Sequence, residues 1–260
     1  MSGFLYKKEY KINDHITLKI PTVGEIIENE DAYYESISLI ISTPYDMMVQ
    51  LDDAGIDFTT INDWDLFCLL FKNLQNRDTS LIFGDMNLKD FETAVNKQTG
   101  NVVLLNQKTG AIIDRAIHDK ICRFLRKILC IEKNSKKPAN EATKKFMIER
   151  ARQRFKRNKK KSNQSQLENF IVALVNTSEF SYNYDSTLTL TIYQFYASLH
   201  QIVKKVKFDN LMIGCYAGTV SVKELDQKEL NFGVNVELSL NTDACVGTGS
   251  ITHFSKTRSP

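Results

Sequence analysis

The 260-residue chain contains no apolar run long enough to cross a bilayer. Its longest apolar-rich stretches, Ser38–Ser42 and Leu66–Phe71, fall far short of the roughly 20 residues a spanning helix needs. The N-terminal residues Met1 to Lys8 lack the apolar centre of a secretory signal. Five cysteines are present (Cys68, Cys122, Cys130, Cys215 and Cys245) and none forms a CxxC pair. An odd set without pairing reads as reduced thiols, mostly buried, and not as a disulfide frame or zinc cluster. These absences predict a soluble cytoplasmic protein.

Catalytic signatures are missing too. There is no GxxxxGK[ST], no HExxH and no GxSxG, and Gly247-Thr-Gly249 is a two-glycine fragment without strand-turn-helix context. The four histidines, His15, His118, His200 and His253, are scattered, whereas a zinc site needs several to converge. The best nucleophile candidate is Cys122 with His118, four residues apart on one helix face. That helix is rich in Ile and Leu, and His118 is expected on its polar edge, so a structural role is favoured. Asp52, Asp53 and Asp57 do not have the spacing of an EF-hand loop. The expectation is a protein without catalytic residues, cofactor or metal: not an enzyme.

What is present is an uneven charge distribution. Net charge is +3, yet Lys133–Lys161 holds 13 Lys or Arg against Glu141 and Glu149, giving +11 and leaving −8 for the remainder. Such asymmetry speaks to partners and solvation, not to fold. Within it, 141–160 reads as a helix with a thin apolar stripe, Ile148, Ala151 and Phe155, flanked by Phe146 and Met147. Such a helix buries little of itself. Arg150, Arg152, Arg154, Phe155, Lys156 and Arg157 are the candidate partner-binding residues. Nucleic-acid phosphates are one possible ligand of the 133–161 segment. An acidic protein surface, including another copy of this chain, is a second, and a solvated connector without a ligand is a third. The absence of a base-stacking platform favours protein.

The fold expected is α+β: a mainly helical body with a small N-terminal hairpin, a short β-meander insertion and a protruding basic helix. Tyr6–Lys11 and His15–Ile20 alternate around Asn13-Asp14 as a hairpin. Thr22 and Glu25 have capping-box spacing. Helices are expected over Ala32–Ile41, from Thr43-Pro44 to Gly55, and from Asn62-Asp63, with Phe67, Leu70, Phe71 and Leu74 on one face. Leu81–Phe83, Phe91–Val95, Val102–Leu105 and Ala111–Ile113 read as strands, the last three joined by turns at Asn96–Gly100 and Asn106–Gly110. Ile113, Ala116, Ile117, Ile121, Phe124, Leu125 and Ile128 read as one core helix. Further on, Leu167–Val175 and Ile192–Val206 read as helices, Phe180–Asp185 as an aromatic loop or strand, and Asn210–Tyr216 as a short helix capped by Asp209. The domain layout expected is a helical domain over 1–230, with a β-rich insertion near 79–113 and the basic arm near 133–164. An extended strand, Phe232–Leu240, and a loose tail would occupy 231–260.

Three stretches carry a resemblance: Ile20-Pro-Thr-Val-Gly-Glu-Ile26, Thr43-Pro44-Tyr-Asp-Met47 with Leu51-Asp-Asp-Ala-Gly-Ile-Asp57, and Leu190-Thr-Ile-Tyr-Gln-Phe195 with Leu211-Met-Ile-Gly-Cys-Tyr-Ala-Gly218. Over roughly residues 5–232 the chain resembles tail assembly chaperones and neighbouring proteins of the tail-morphogenesis cluster of tailed phages and prophages of Gram-positive bacteria. The resemblance implies a non-enzymatic role in the host cytoplasm: binding the tape measure protein, tail tube subunits, or both. In that family a programmed frameshift often appends a tube-recruiting region, and the composition here changes after Asn231. The alternatives are a structural tail or baseplate protein kept in the virion, and a nucleic-acid-binding protein using 133–161.

Overall fold

The computed structural model describes residues 3–97, 99–158 and 165–219. The expected strand at 232–240 and tail at 241–260 lie outside these residues, as do Cys245, Gly247-Thr-Gly249, His253 and Lys159–Lys161. The architecture is α+β, with ten helices among the described residues and two small antiparallel sheets. The described residues fall into two compact units built from interleaved segments. One draws on residues 3–30, 123–132 and 165–219, the other on 31–122 and 133–158.

The first unit begins with the expected hairpin. β1 (Glu9–Lys11) pairs with β2 (Thr17–Lys19), Tyr10 opposite Leu18. Asn13 holds the turn, its Oδ1 accepting from the backbone N–H of His15 and Ile16. Helix α1 (Val23–Ile27) starts with the expected capping box between Thr22 and Glu25. The longest of the described helices, α10 (Ile192–Tyr216), starts with another, between Thr191 and Gln194. The two caps are joined: Thr22 and Thr191 form an antiparallel bridge, with Val23 N–H donating to Leu190 O and Ile192 N–H to Pro21 O, both at 2.8 Å. The approach is close, because a Cβ on Gly24 would stand 3.2 Å from Leu188 O. Buried Ile16, Leu18, Val23, Ile26, Ile192 and Phe195 belong to this unit's core. Phe4 lies edge-on to Tyr10, Phe124 and Tyr193, while Tyr10 stacks on Phe124 at 5.0 Å. Helix α8 (Gln166–Val175) receives two caps, Ser165 from its own chain start and the Glu30 carboxylate, which accepts from Gln166 and Leu167 N–H.

Two expectations in this unit are corrected. Tyr184–Leu188 is a helix, α9, started by an Asn183–Ser186 capping box and not part of an aromatic strand. Asn210–Tyr216 is not a separate helix: Asp209 accepts from Lys205 at i, i+4 and α10 runs through it. The end of α6 (Arg115–Ile128) carries a non-glycine residue at positive φ, Cys130 at 55°, where Ile131 N–H closes back on Arg126 O.

In the second unit α2 (Glu30–Ile41), α3 (Met48–Asp53), α4 (Asp63–Gln75) and α5 (Ser80–Phe83) precede a three-stranded meander, β3 (Phe91–Val95), β4 (Val102–Asn106) and β5 (Ile112–Ile113). Asn62 caps α4 as expected, and Trp64, Phe67, Leu70, Phe71 and Leu74 are buried on it. At the end of α4, Gln75 donates to Leu88 O and Phe91 O, tying the helix to the meander. Leu81–Phe83 was expected as strand but lies in α5, because the Asp78 carboxylate accepts from Ser80 N–H and turns the chain. Thr43 and Asp46 cap each other as expected of an N-terminus, yet only a single turn follows before α3 begins at Met48.

The larger correction concerns α6. Ile113 belongs to β5, and Asp114 caps the helix through Ile117 N–H, so the helix starts later than the periodicity suggested. Ala116 is exposed and Ile117 half-buried, whereas His118, Ile121, Cys122, Phe124, Leu125 and Ile128 are buried.

Thr22→Ala and Thr191→Ala are each expected to lower stability by about 1 kcal/mol, the usual worth of an N-cap. Because the caps share a backbone bridge, the double variant should depart from additivity in urea unfolding.

Candidate protein-docking surface

The basic segment folds as α7 (Glu141–Asn158). Asn140 starts it, accepting from the Thr143 N–H and hydroxyl at 2.8 and 2.9 Å. Glu141 sits in the first turn and Lys156 and Arg157 in the last, the arrangement the helix dipole favours. No residue of α7 with a described side chain is fully buried, in line with the thin stripe read from the sequence.

The helix is nonetheless held along one face, so the arm is not free over its length. Met147, Ile148 and Ala151 pack against a buried cluster of Met47, Met48, Leu51, Phe58, Leu66 and Leu70. On either side of that seam stands a cation. Lys144 Nζ lies 2.6 Å from Asp57 Oδ2 and 6.0 Å from the Phe58 ring centre. Arg152, eight residues and about two turns further on, reaches both Asp52 and Asp53.

The three aspartates are presented by a helix end. α3 stops at a Schellman motif: Gly55 (φ 71°) donates to Asp52 O, and Ile56 donates to Leu51 O at 2.8 Å. Asp52 and Asp53 therefore sit at the negative end of α3, where the dipole disfavours carboxylates and the Arg152 guanidinium offsets them. Asp57 follows in the turn, accepting from Thr59 N–H and hydroxyl. The Lys144 ammonium, then these Thr59 bonds, hold its carboxyl at about 2, and Lys144 is raised in return. Asp53 and then Asp52 raise Arg152 likewise. The Arg152 pairs are open to solvent on the Asp52 and Asp53 side and the Lys144–Asp57 pair is partly buried, so water screens the former more than the latter. Half-burying three side chains adds on the order of a few kcal/mol. α7 is therefore docked weakly compared with α4.

The sequence-derived candidates divide. Arg152 is taken up by Asp52 and Asp53, and Phe155 is half-buried. Arg150, Arg154, Lys156 and Arg157, with Lys145, are exposed, and Phe146 is 65% exposed among them. Sequence reasoning missed Lys144 as a holding residue and set Asp52, Asp53 and Asp57 aside once a calcium loop failed. The signal was there: cations eight residues apart bracketing a stripe, and three carboxylates within six residues.

A cleft of about 720 Å3 lies at the N-terminal ends of α4 and α7, with Tyr45, Trp64, Arg115, Asp119, Lys137 and Lys144 in its wall. Its charges are mixed, with Lys133 paired to Asp63, so it selects neither anions nor cations. The His118–Cys122 pair is not on a polar edge. The imidazole is 1% exposed and stacks on Phe67 at 4.2 Å, with Nε2 3.0 Å from Ile40 O and 3.2 Å from Cys122 Sγ. This geometry makes the pair a polar element of the core. In the first unit, burial and then Lys204, Lys207 and Lys127 lower the His200 pKa, and neither His200 Nε2 nor the buried Lys204 Nζ has a hydrogen-bond partner. No group of three or more His, Cys, Asp or Glu able to hold a metal occurs among the described residues. None of the described helices is long and apolar enough to cross a membrane.

Fold and site thus define a mainly helical α+β protein whose best-built candidate surface is the outward face of an ion-paired basic helix. A family described as the YomV second domain matches residues 158–235, which include α8, α9 and α10. YomV is a phage- and prophage-associated protein, and the match supports a phage origin for this chain. No curated protein and no solved structure matches the chain.

Because the folded Asp57 pKa lies below its unfolded value near 3.9, its contribution is complete above about pH 4 and lost as pH falls toward 2. Asp57→Asn is therefore expected to speed amide exchange in α7 at neutral pH and to make a much smaller difference near pH 2. Exchange mass spectrometry at both pH values checks this.

Proposed function

We propose that this chain is a non-enzymatic assembly factor of phage tail morphogenesis, a chaperone acting in the host cytoplasm on the tape measure protein, tail tube subunits, or both. The observation that carries the reading is the match of residues 158–235 to a domain of a phage-associated protein. The surface chemistry supports a binding role. Five exposed cations and Phe146 on α7 offer a face for an acidic, partly apolar protein surface. Copies bound along one elongated partner would add avidity without needing strong single contacts.

Co-expression with a tape measure protein of a tailed phage tests it. The expected outcome is that the partner becomes soluble and co-purifies, and that Arg150→Glu with Arg157→Glu weakens capture. A partner that stays insoluble and fails to co-purify sinks the chaperone reading. Recovery of the chain in purified virions would favour a structural tail or baseplate protein. Retention on DNA that collapses with rising salt would favour the nucleic-acid reading.

A further inference from the structure

The contact beneath α7 has the anatomy of a helix-in-groove complex. The groove floor is Met47, Met48, Leu51 and Phe58, with Leu66 and Leu70 behind, and three aspartates stand at its edge. The occupant presents a cation, two apolar residues, a small residue and a second cation: Lys144, Met147, Ile148, Ala151 and Arg152. Their spacing of 0, 3, 4, 7 and 8 puts all five on one helix face.

The occupant is built to leave. Met147, Ile148, Ala151 and Arg152 are all half-buried at most, and the Asp52 and Asp53 carboxylates that hold Arg152 face solvent. Residues 132–138, leading to α7, lie in neither helix nor strand. The floor is rich in methionine, whose flexible thioether adapts to different helices. Removing α7 would open an apolar surface rimmed by negative charge.

We propose that α7 is an internal stand-in for a partner's helix, and that the groove of Met47, Met48, Leu51 and Phe58 takes an amphipathic helix of another protein bearing the same cation–apolar–cation pattern. Asp52 and Asp53 recognise one cation and Asp57 the other. α7, tethered in the same chain, competes at high effective concentration and keeps the groove covered until such a helix arrives. This goes beyond the phage reading and does not depend on it, since it concerns the groove under α7 and not the outward face.

The probe is a fluorescent peptide of Glu141–Asn158 titrated against the full chain. Ala151→Glu places a carboxylate in the seam and loosens the resident helix. The peptide is expected to bind this variant about tenfold more tightly than the unaltered chain, because tethered competition is relieved. Adding Asp52→Asn and Asp53→Asn should reverse most of that gain. Equal binding to both chains, or binding indifferent to Asp52 and Asp53, overturns the proposal. So does a concentration-dependent dimer of Ala151→Glu in light scattering, which would make a second copy the occupant. Should Ala151→Glu not fold, the unaltered chain decides. Amide exchange in α7 must accelerate with rising salt while α4 stays constant. Exchange of α7 at the same salt-independent rate as α4 overturns the proposal.

Discussion

Three aspartates hold the positive charge of this protein in place. A segment carrying +11 cannot neutralise itself with two glutamates, so its helix needs carboxylates from elsewhere. It finds them at the end of α3, where Asp52 and Asp53 sit against an unfavourable dipole and Asp57 follows in the turn. Each side relieves the other. The arrangement gives α7 a fixed register over the methionine-rich cluster, leaving Arg150, Arg154, Lys156 and Arg157 on the outside. Both the outward face and the covered groove follow from that one pairing.

The two units are stabilised by different means. The first relies on saturated helix starts: capping boxes at Thr22, Asn183 and Thr191, a shared bridge between two of them, and a carboxylate on α8. The second relies on aromatic packing along α4, where Phe67 stacks on His118 and Trp64 lies beside both. α7 has a cap of its own at Asn140 but no comparably buried face. Low burial is a defect for a core element and an asset for one that meets a partner, since elements that open easily are drawn from the weakly held part of a fold.

The phage-associated match covers residues 158–235, while the basic helix and its aspartates lie before it. The match therefore bears on origin, and the argument for binding comes from the geometry of 44–158. A histidine and cysteine on one helix face, the best catalytic pair in the sequence, turn out to be enclosed by aromatic rings and a backbone carbonyl.

Local chemistry made much of this legible. The hairpin, the cap at Thr22, the buried face of α4, the three meander strands and their turns, and the sparse burial of α7 all follow from neighbours within a few residues, because caps, turns and periodicity act at that range. Where a single residue or a distant neighbour decides, local reading failed: Asp114 starts α6 late, Asp78 converts an apolar triplet from strand to helix, and His118 faces inward onto Phe67. Charge asymmetry, too, was set by the sequence alone. Which charges meet was not, because Arg152 and Asp52 are a hundred residues apart and only the packing of α7 on α3 brings them into contact. Sequence determined that a basic helix exists; tertiary structure decided which of its cations are held and which face outward.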